Sequence, residues 1–355
     1  MTKNNPIYII TENIGQGHRS VSEALKESIE DESGTKVVVI DYFSLIGQGL
    51  EKSMGNIYGY LILNFPYLYK LIYSLIDRED SSTLMDMLIA QRLKNKIGPN
   101  IKNAILIATF PNSTIALSFI KAHRRYAVIT DYYAHQGWIT QKIDGYFVAN
   151  KEIKLQLKKA GINENTIHIT GIPIKKEFYK KVNKLNIKKQ LGINNSKKVV
   201  LILGGGDGVI PDAEYIVSLF DNKNNVIIIT AKNYSLKKSL EKRNLKNTKI
   251  FGYVDNMYEL ISIADLAITK AGGISLSELN LKRIPIIVYK TIPGQETANT
   301  IYFTKKHACK EINDKKELKI TANKILSGKM KLNGIIVDTK IPAFNKIINI
   351  INKDL

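Results

Sequence analysis

Cysteine is almost missing from this sequence: Cys309 is the only one in 355 residues. An internal disulfide, a Cys-based zinc site and a redox pair are therefore excluded, which favours a cytoplasmic setting. Long hydrophobic runs are missing as well. No continuous stretch of about 20 apolar residues occurs, so no membrane-crossing helix is expected. The opening MTKNNPIYIIT enters a strand pattern without an apolar core of signal-peptide length, so nothing points to export. Acidic residues are few beside basic ones: 32 Asp and Glu against 52 Lys and Arg, a net charge of +20. Such a balance suits anionic partners, namely nucleic acid, anionic lipid or phosphorylated substrates, with solvated lysine faces as the plainer account. Nucleic acid is set aside because the chain has no aromatic and basic sheet motif and no recognisable module.

What is present fits a folded protein of two domains, with 44% hydrophobic and 24% charged residues. Ile7 to Thr11 reads as a strand, followed by a glycine loop through Gly15 and Gly17 and a helix from about Arg19 to Ile29. That is the first unit of a Rossmann-like sheet, although a third glycine of the dinucleotide fingerprint is absent. His18 falls where the loop meets the helix, at the sheet edge that binds ligands in open α/β folds. An imidazole there, with an ordinary pKa of about 6.5, can accept a proton near neutral pH, or else merely cap the helix. Val199 to Leu203 runs into Gly204-Gly205-Gly206 and opens a second such unit, with Gly205 and Gly206 as candidates for phosphate or acceptor contact. Between the two, Lys175 to Lys198 is lysine-rich and weakly patterned apart from a short helical run from Ile187 to Leu191, as an interdomain linker would be.

Three further stretches carry chemistry. In Gly252 to Asn299 a strand breaks at Lys270-Ala271-Gly272-Gly273 and a helix begins. Paired glycines before a helix N-terminus bring backbone N–H groups and a partial positive charge to an anion such as a diphosphate. Ser275 and Glu278 lie on that helix, where the Glu278 carboxylate can accept from vicinal hydroxyls such as those of a ribose. Gln295, Glu296 and Asn299 follow the next strand and supply donors and acceptors for sugar hydroxyls. In Leu50 to Ile76 apolar residues recur at steps of three and four, no charge occurs between Lys52 and Lys70, and tyrosines stand at 58, 60, 67, 69 and 73. A core helix pair and a membrane-interface segment both fit this pattern. Finally, Pro342 to Leu355 reads as a helix with Phe344, Ile347, Ile348 and Ile351 on one side.

The run ADLAITKAGGISLSE followed by PGQETAN resembles glycosyltransferase family 28, and most of all its diacylglycerol glycosyltransferase branch. The likeness extends over nearly the whole chain. It implies an α/β fold of the GT-B type, with two Rossmann-like domains facing a cleft and a C-terminal helix crossing back to the N-terminal domain. The corresponding boundaries are 1–175 for an acceptor-binding, membrane-associating domain, 176–198 for the linker, 199–338 for the UDP-sugar domain and 339–355 for the helix. GQGHRS matches the family's glycine-rich loop ending in the catalytic base, which carries that role to His18. Asp131 is then the alternative base or the group that orients His18. Phe110, Tyr132 and Trp138 resemble the acceptor side, and a lone Trp is as readily core. Val254 inherits the backbone contact to the nucleotide base, and Lys270 with Gly272 and Gly273 would stabilise the departing diphosphate. Tyr67, Lys70 and Tyr73 become interfacial residues on the cell membrane's inner face.

The reaction so implied is transfer of glucose or galactose from UDP-hexose to diacylglycerol with inversion, on an anionic membrane surface. No metal and no cofactor are expected, the UDP-sugar being a substrate. A GlcNAc transferase acting on a lipid-linked peptidoglycan precursor is the rival enzyme. A non-catalytic UDP-sugar sensor that binds membranes is the rival of another class.

Overall fold

Short runs of Ile, Val and Leu build two sheets, and each run is too brief and too β-branched to persist as helix. In the computed structural model, which describes residues 5–12, 16–47, 83–336 and 340–354, the strands are all parallel. Gly15, Tyr67, Lys70, Tyr73 and the rest of the 50–76 segment lie outside the described residues. Ile7–Thr11 (β1), Val37–Asp41 (β2), Ile105–Ala108 (β3), Arg124–Val128 (β4), Gly145–Val148 (β5) and Ile167–Ile169 (β6) pair in the order β2-β1-β3-β4-β5-β6. Val199–Leu203 (β7), Asn225–Ile229 (β8), Thr248–Phe251 (β9), Leu266–Thr269 (β10), Ile286–Tyr289 (β11) and Cys309–Ile312 (β12) pair in the order β12-β11-β10-β7-β8-β9. Counted within itself the second sheet runs 3-2-1-4-5-6, the dinucleotide-fold order. β3, β5, β7, β8, β10 and β11 bury every side chain, because helices cover both faces of a parallel sheet.

The helices of the first sheet are Gln16–Ser33 (α1), Thr83–Ile97 (α2), Pro111–Leu117 (α3) and Lys151–Lys159 (α4). Those of the second are Lys184–Gln190 (α5), Ala213–Phe220 (α6), Tyr234–Glu241 (α7), Met257–Ile263 (α8), Gly273–Leu281 (α9), Gln295–Lys305 (α10) and Lys315–Leu326 (α11). Ala343–Ile351 (α12) follows them in sequence. Among the described residues no helix is long and apolar enough to cross a membrane.

The chain divides into two units, Met1–Lys176 with Asp338–Leu355, and Glu177–Val337. The stretch read as a linker is therefore docked on the second unit. Phe178, Ile187 and Ile193 are buried, the Phe178 ring meets Tyr258 edge-on, and α5 packs on α8. Abundant lysine hid Phe178 and Ile193, because long charged side chains flank them in sequence, whereas the helical run from Ile187 was legible.

α12 belongs to the first unit. Its Phe344, Ile347, Ile348 and Ile351 are all buried and it packs on α1, whose own buried face is Val21, Ala24, Leu25 and Ser28. Just beyond it, Asp354 is gripped at the opposite edge of the sheet from His18. Asn5 Nδ2 donates to its carbonyl (3.1 Å), His123 Nε2 lies 2.9 Å from the same oxygen, Arg124 Nε reaches Oδ1 (2.9 Å), and Tyr126 OH bonds Oδ2.

Candidate active site

In the first unit the sheet reverses direction of growth between β1 and β3, and the carboxyl ends of those strands frame His18. The imidazole sits on the first turn of α1, with Nδ1 2.7 Å from the carbonyl oxygen of Thr109 and 3.0 Å from Oγ1 of Thr130. A carbonyl oxygen only accepts, so Nδ1 carries the proton and the neutral ring keeps its lone pair on Nε2. Ser22 locks the arrangement: its hydroxyl donates to the His18 carbonyl (2.9 Å) and lies 2.8 Å from the Thr109 hydroxyl. The Phe110 ring meets the imidazole edge-on at 5.5 Å and contacts Tyr42 behind it.

Burial pushes the His18 pKa below its ordinary value, since an imidazolium is poorly solvated there. The charge of Asp131 and the bond to Thr109 oppose that shift, and His135 adds to it. Asp131 is 3% exposed and directly follows Thr130. It acts on the ring through its charge, while Thr109 and Thr130 hold Nδ1. Tyr132 is half-buried beside it.

Trp138 requires a correction. It is 0% exposed and packed in the core of the first unit, so it presents no surface to an acceptor. A large apolar ring three residues past His135, in a short 3-10 turn over α3, is drawn into the core by the hydrophobic effect.

In the second unit the switch point lies between β7 and β10, and the two turns that follow them meet. Gly205 has φ +66°, and a Cβ there would stand 2.5 Å from Cε of Lys270, so the glycine makes room for the lysine chain. Lys270 Nζ pairs with Glu296 Oε1 at 2.9 Å, and the Ala271 N–H donates to Glu296 Oε2 (3.2 Å). Asn299 Nδ2 donates to the Ala271 carbonyl (3.0 Å) and the residue is fully buried. Glu296 and Asn299 thus grip the turn, with Asn299 buried against its backbone and the Glu296 carboxylate shared between Lys270 and the Ala271 N–H. The reason is geometric: α10 begins at Gln295, so positions 296 and 299 share one face.

Gly272 differs from the other glycines. Its φ of −67° suits any residue and a Cβ would meet nothing within 4 Å. Open space therefore lies in front of the α9 N-terminus, where Gly273 and half-buried Ser275 present first-turn N–H groups. Glu278 is 9% exposed one turn further on. Gly206 lies in the β7 turn, Gln295 opens α10, and Val254 follows β9, separated from β7 by β8. Among the described residues no group of three or more His, Cys, Asp or Glu side chains converges to hold a metal ion.

Residues 18–174 match the family described as monogalactosyldiacylglycerol (MGDG) synthase, and 199–333 match the glycosyltransferase family 28 C-terminal domain. A processive diacylglycerol beta-glucosyltransferase of Bacillus cereus is 33% identical, with 94% of this chain and 88% of that protein covered. The chain belongs to glycosyltransferase family 28. A Bacillus mycoides protein of the same description is 32% identical over the same shares. Among solved structures, the S. aureus MnaA–UDP co-structure superposes on the family 28 chain with a TM-score of 0.63 at 13% identity, covering 98% and 96%. Anabaena Alr3699/HepE in complex with UDP-glucose gives 0.56 at 11%, covering 99% and 100%. These distant likenesses establish the shared GT-B fold.

Four residues near His18 of this glycosyltransferase escaped assignment from sequence: Glu12, Ser22, Thr109 and Thr130. The two threonines carried a usable signal, since each is the first polar residue after a buried strand at the ligand-binding edge. Ser22 and Glu12 carried none, because nothing local marks a side chain whose partner is 87 residues away or on the next element.

Proposed function

We propose that the protein is an inverting UDP-hexosyltransferase that moves glucose to diacylglycerol. The observation that carries the reading is the bond from His18 Nδ1 to the Thr109 carbonyl, which leaves Nε2 as a ready proton acceptor. Nε2 takes the proton of the acceptor hydroxyl as the oxygen attacks the anomeric carbon. The bond from that carbon to the diphosphate breaks, and its electron pair departs with UDP. One displacement inverts the anomeric configuration. The α9 N-terminus and Lys270 stabilise the charge that develops on the diphosphate, and no metal is required for that role. Glucose is chosen over galactose because the relatives are named glucosyltransferases.

Peripheral attachment to the inner face of an anionic membrane belongs to the same reading. The net charge of +20 supports it, as does the start of α2, where Leu84 is 80% exposed beside exposed Met85, Met87 and Leu88. The test is product analysis with labelled UDP-glucose or UDP-galactose and diacylglycerol in anionic vesicles. Label entering a chloroform-soluble glycolipid from UDP-glucose, with His18→Ala reducing turnover about 10² to 10⁴-fold, is the expected outcome. Release of UDP with no lipid product from either donor would overturn it.

A further inference from the structure

The nitrogen of His18 that does the chemistry has a neighbour of its own. Glu12, the residue after β1, places Oε1 3.5 Å from Nε2, and the two side chains are only 13% and 14% exposed. While the ring is neutral, both atoms are acceptors and no hydrogen bond can join them. Once Nε2 gains a proton the pair becomes imidazolium and carboxylate, poorly screened by water. Asp131 and His135 face the same ring with opposed effects, and Arg19, next along α1, is paired with Glu23.

We propose that Glu12 is a positioning residue for proton transfer, holding on Nε2 of His18 the proton removed from the acceptor hydroxyl. The inference rests on His18 being the base. Nδ1 is committed to Thr109 and Thr130, so the incoming proton has only Nε2 to bind, and Glu12 places a carboxylate within ion-pair reach of that atom. The carboxyl end of β1 and the first turn of α1 thus bring carboxylate and imidazole together at the sheet's switch point. An opposite charge this close favours the protonated ring and offsets part of the penalty of burying it.

Two measurements on the full-length protein test this. The first is an NMR titration of the His18 ring, which His18→Ala identifies among five histidines. Glu12→Gln should lower the ring's pKa by about one to three pH units, while Glu12→Asp, which keeps the charge, should stay nearer wild type. The other four histidine signals report whether each variant is folded. An unshifted His18 titration in folded Glu12→Gln overturns the proposal, whether or not the protein is active. The second is the pH profile of kcat/KM for transfer to diacylglycerol from UDP-glucose. Its acidic limb should move to lower pH in Glu12→Gln, with a reduced plateau and an unchanged KM for UDP-glucose. An active wild type whose limb stays in place in the variant counts against Glu12 alone. A wild type that transfers nothing to lipid counts against the reaction, and leaves the ring titration to decide on Glu12.

Discussion

Lys270 and Glu296 form a 2.9 Å ion pair that joins the turn after β10 to the first turn of α10. The same carboxylate takes the Ala271 N–H, so one side chain sets both the lysine head and the backbone beside Gly272. Lys270→Met should lower kcat/KM for the UDP-sugar by about 10² or more, as removal of a preorganised charge stabiliser does. Glu296→Gln should lower it less, and the double variant should fall short of the product of the two effects. Steady-state kinetics of the four proteins give the coupling directly, and strict additivity would mean that the pair does not act as a unit.

Glycine plays two different parts in the second unit. At Gly272 a Cβ enters open space with ordinary backbone angles. Gly272→Val is therefore expected to keep the wild-type Tm while raising KM for the UDP-sugar several-fold. At Gly208, with φ +65°, a Cβ would fall 1.8 Å from the Thr230 carbonyl oxygen. Gly208→Ala should cost about 1 kcal/mol or more of stability, seen as a lower denaturant midpoint.

Asp212 supplies a pH signature of folding. Partial burial pushes its pKa up, but Lys290, Lys315 and the Tyr289 hydroxyl, at 2.6, 2.8 and 2.9 Å, hold it down at about 2. A carboxyl depressed in the folded state contributes stability that is full above its unfolded pKa of about 3.9 and fades as pH falls toward 2. Asp212→Asn should therefore be less stable than wild type at pH 7, and the gap should close between pH 4 and the folded pKa near 2. Denaturant unfolding at a series of pH values checks this.

How far the sequence revealed all this depended on whether the deciding contact was local. Strands such as Val199–Leu203 announce themselves by composition, and α12 by its four buried apolar residues. His18 was legible because a helix start after a glycine loop is a local event. Trp138 was not, because exposure is settled by what packs around a side chain, here the core of the first unit. Nor was the grip of Asn299 on Ala271, made between residues 28 apart. The segment 177–198 misled in the opposite sense, since lysine-rich composition concealed the anchoring of Phe178 and Ile193.

The clasp on Asp354 should matter for the first unit alone. Asp354→Ala removes the acceptor for Arg124 and Tyr126 at once, and a loss of about 1 to 3 kcal/mol is expected. Hydrogen exchange should locate the loosening in α1 and β4, leaving β7 to β12 as protected as before.

That same closure imposes an order on biosynthesis. The ribosome delivers every strand of the first sheet by residue 169, yet the helix that covers α1 begins at residue 343. At roughly 5 to 20 residues per second the wait lasts on the order of ten to thirty seconds. Throughout it α1 has the sheet beneath it but lacks α12, one of its packing partners, while the whole of the second sheet is made and can fold. The nascent chain therefore passes through a stage with one finished half and one unsealed half, the interval in which a chaperone would have most to hold.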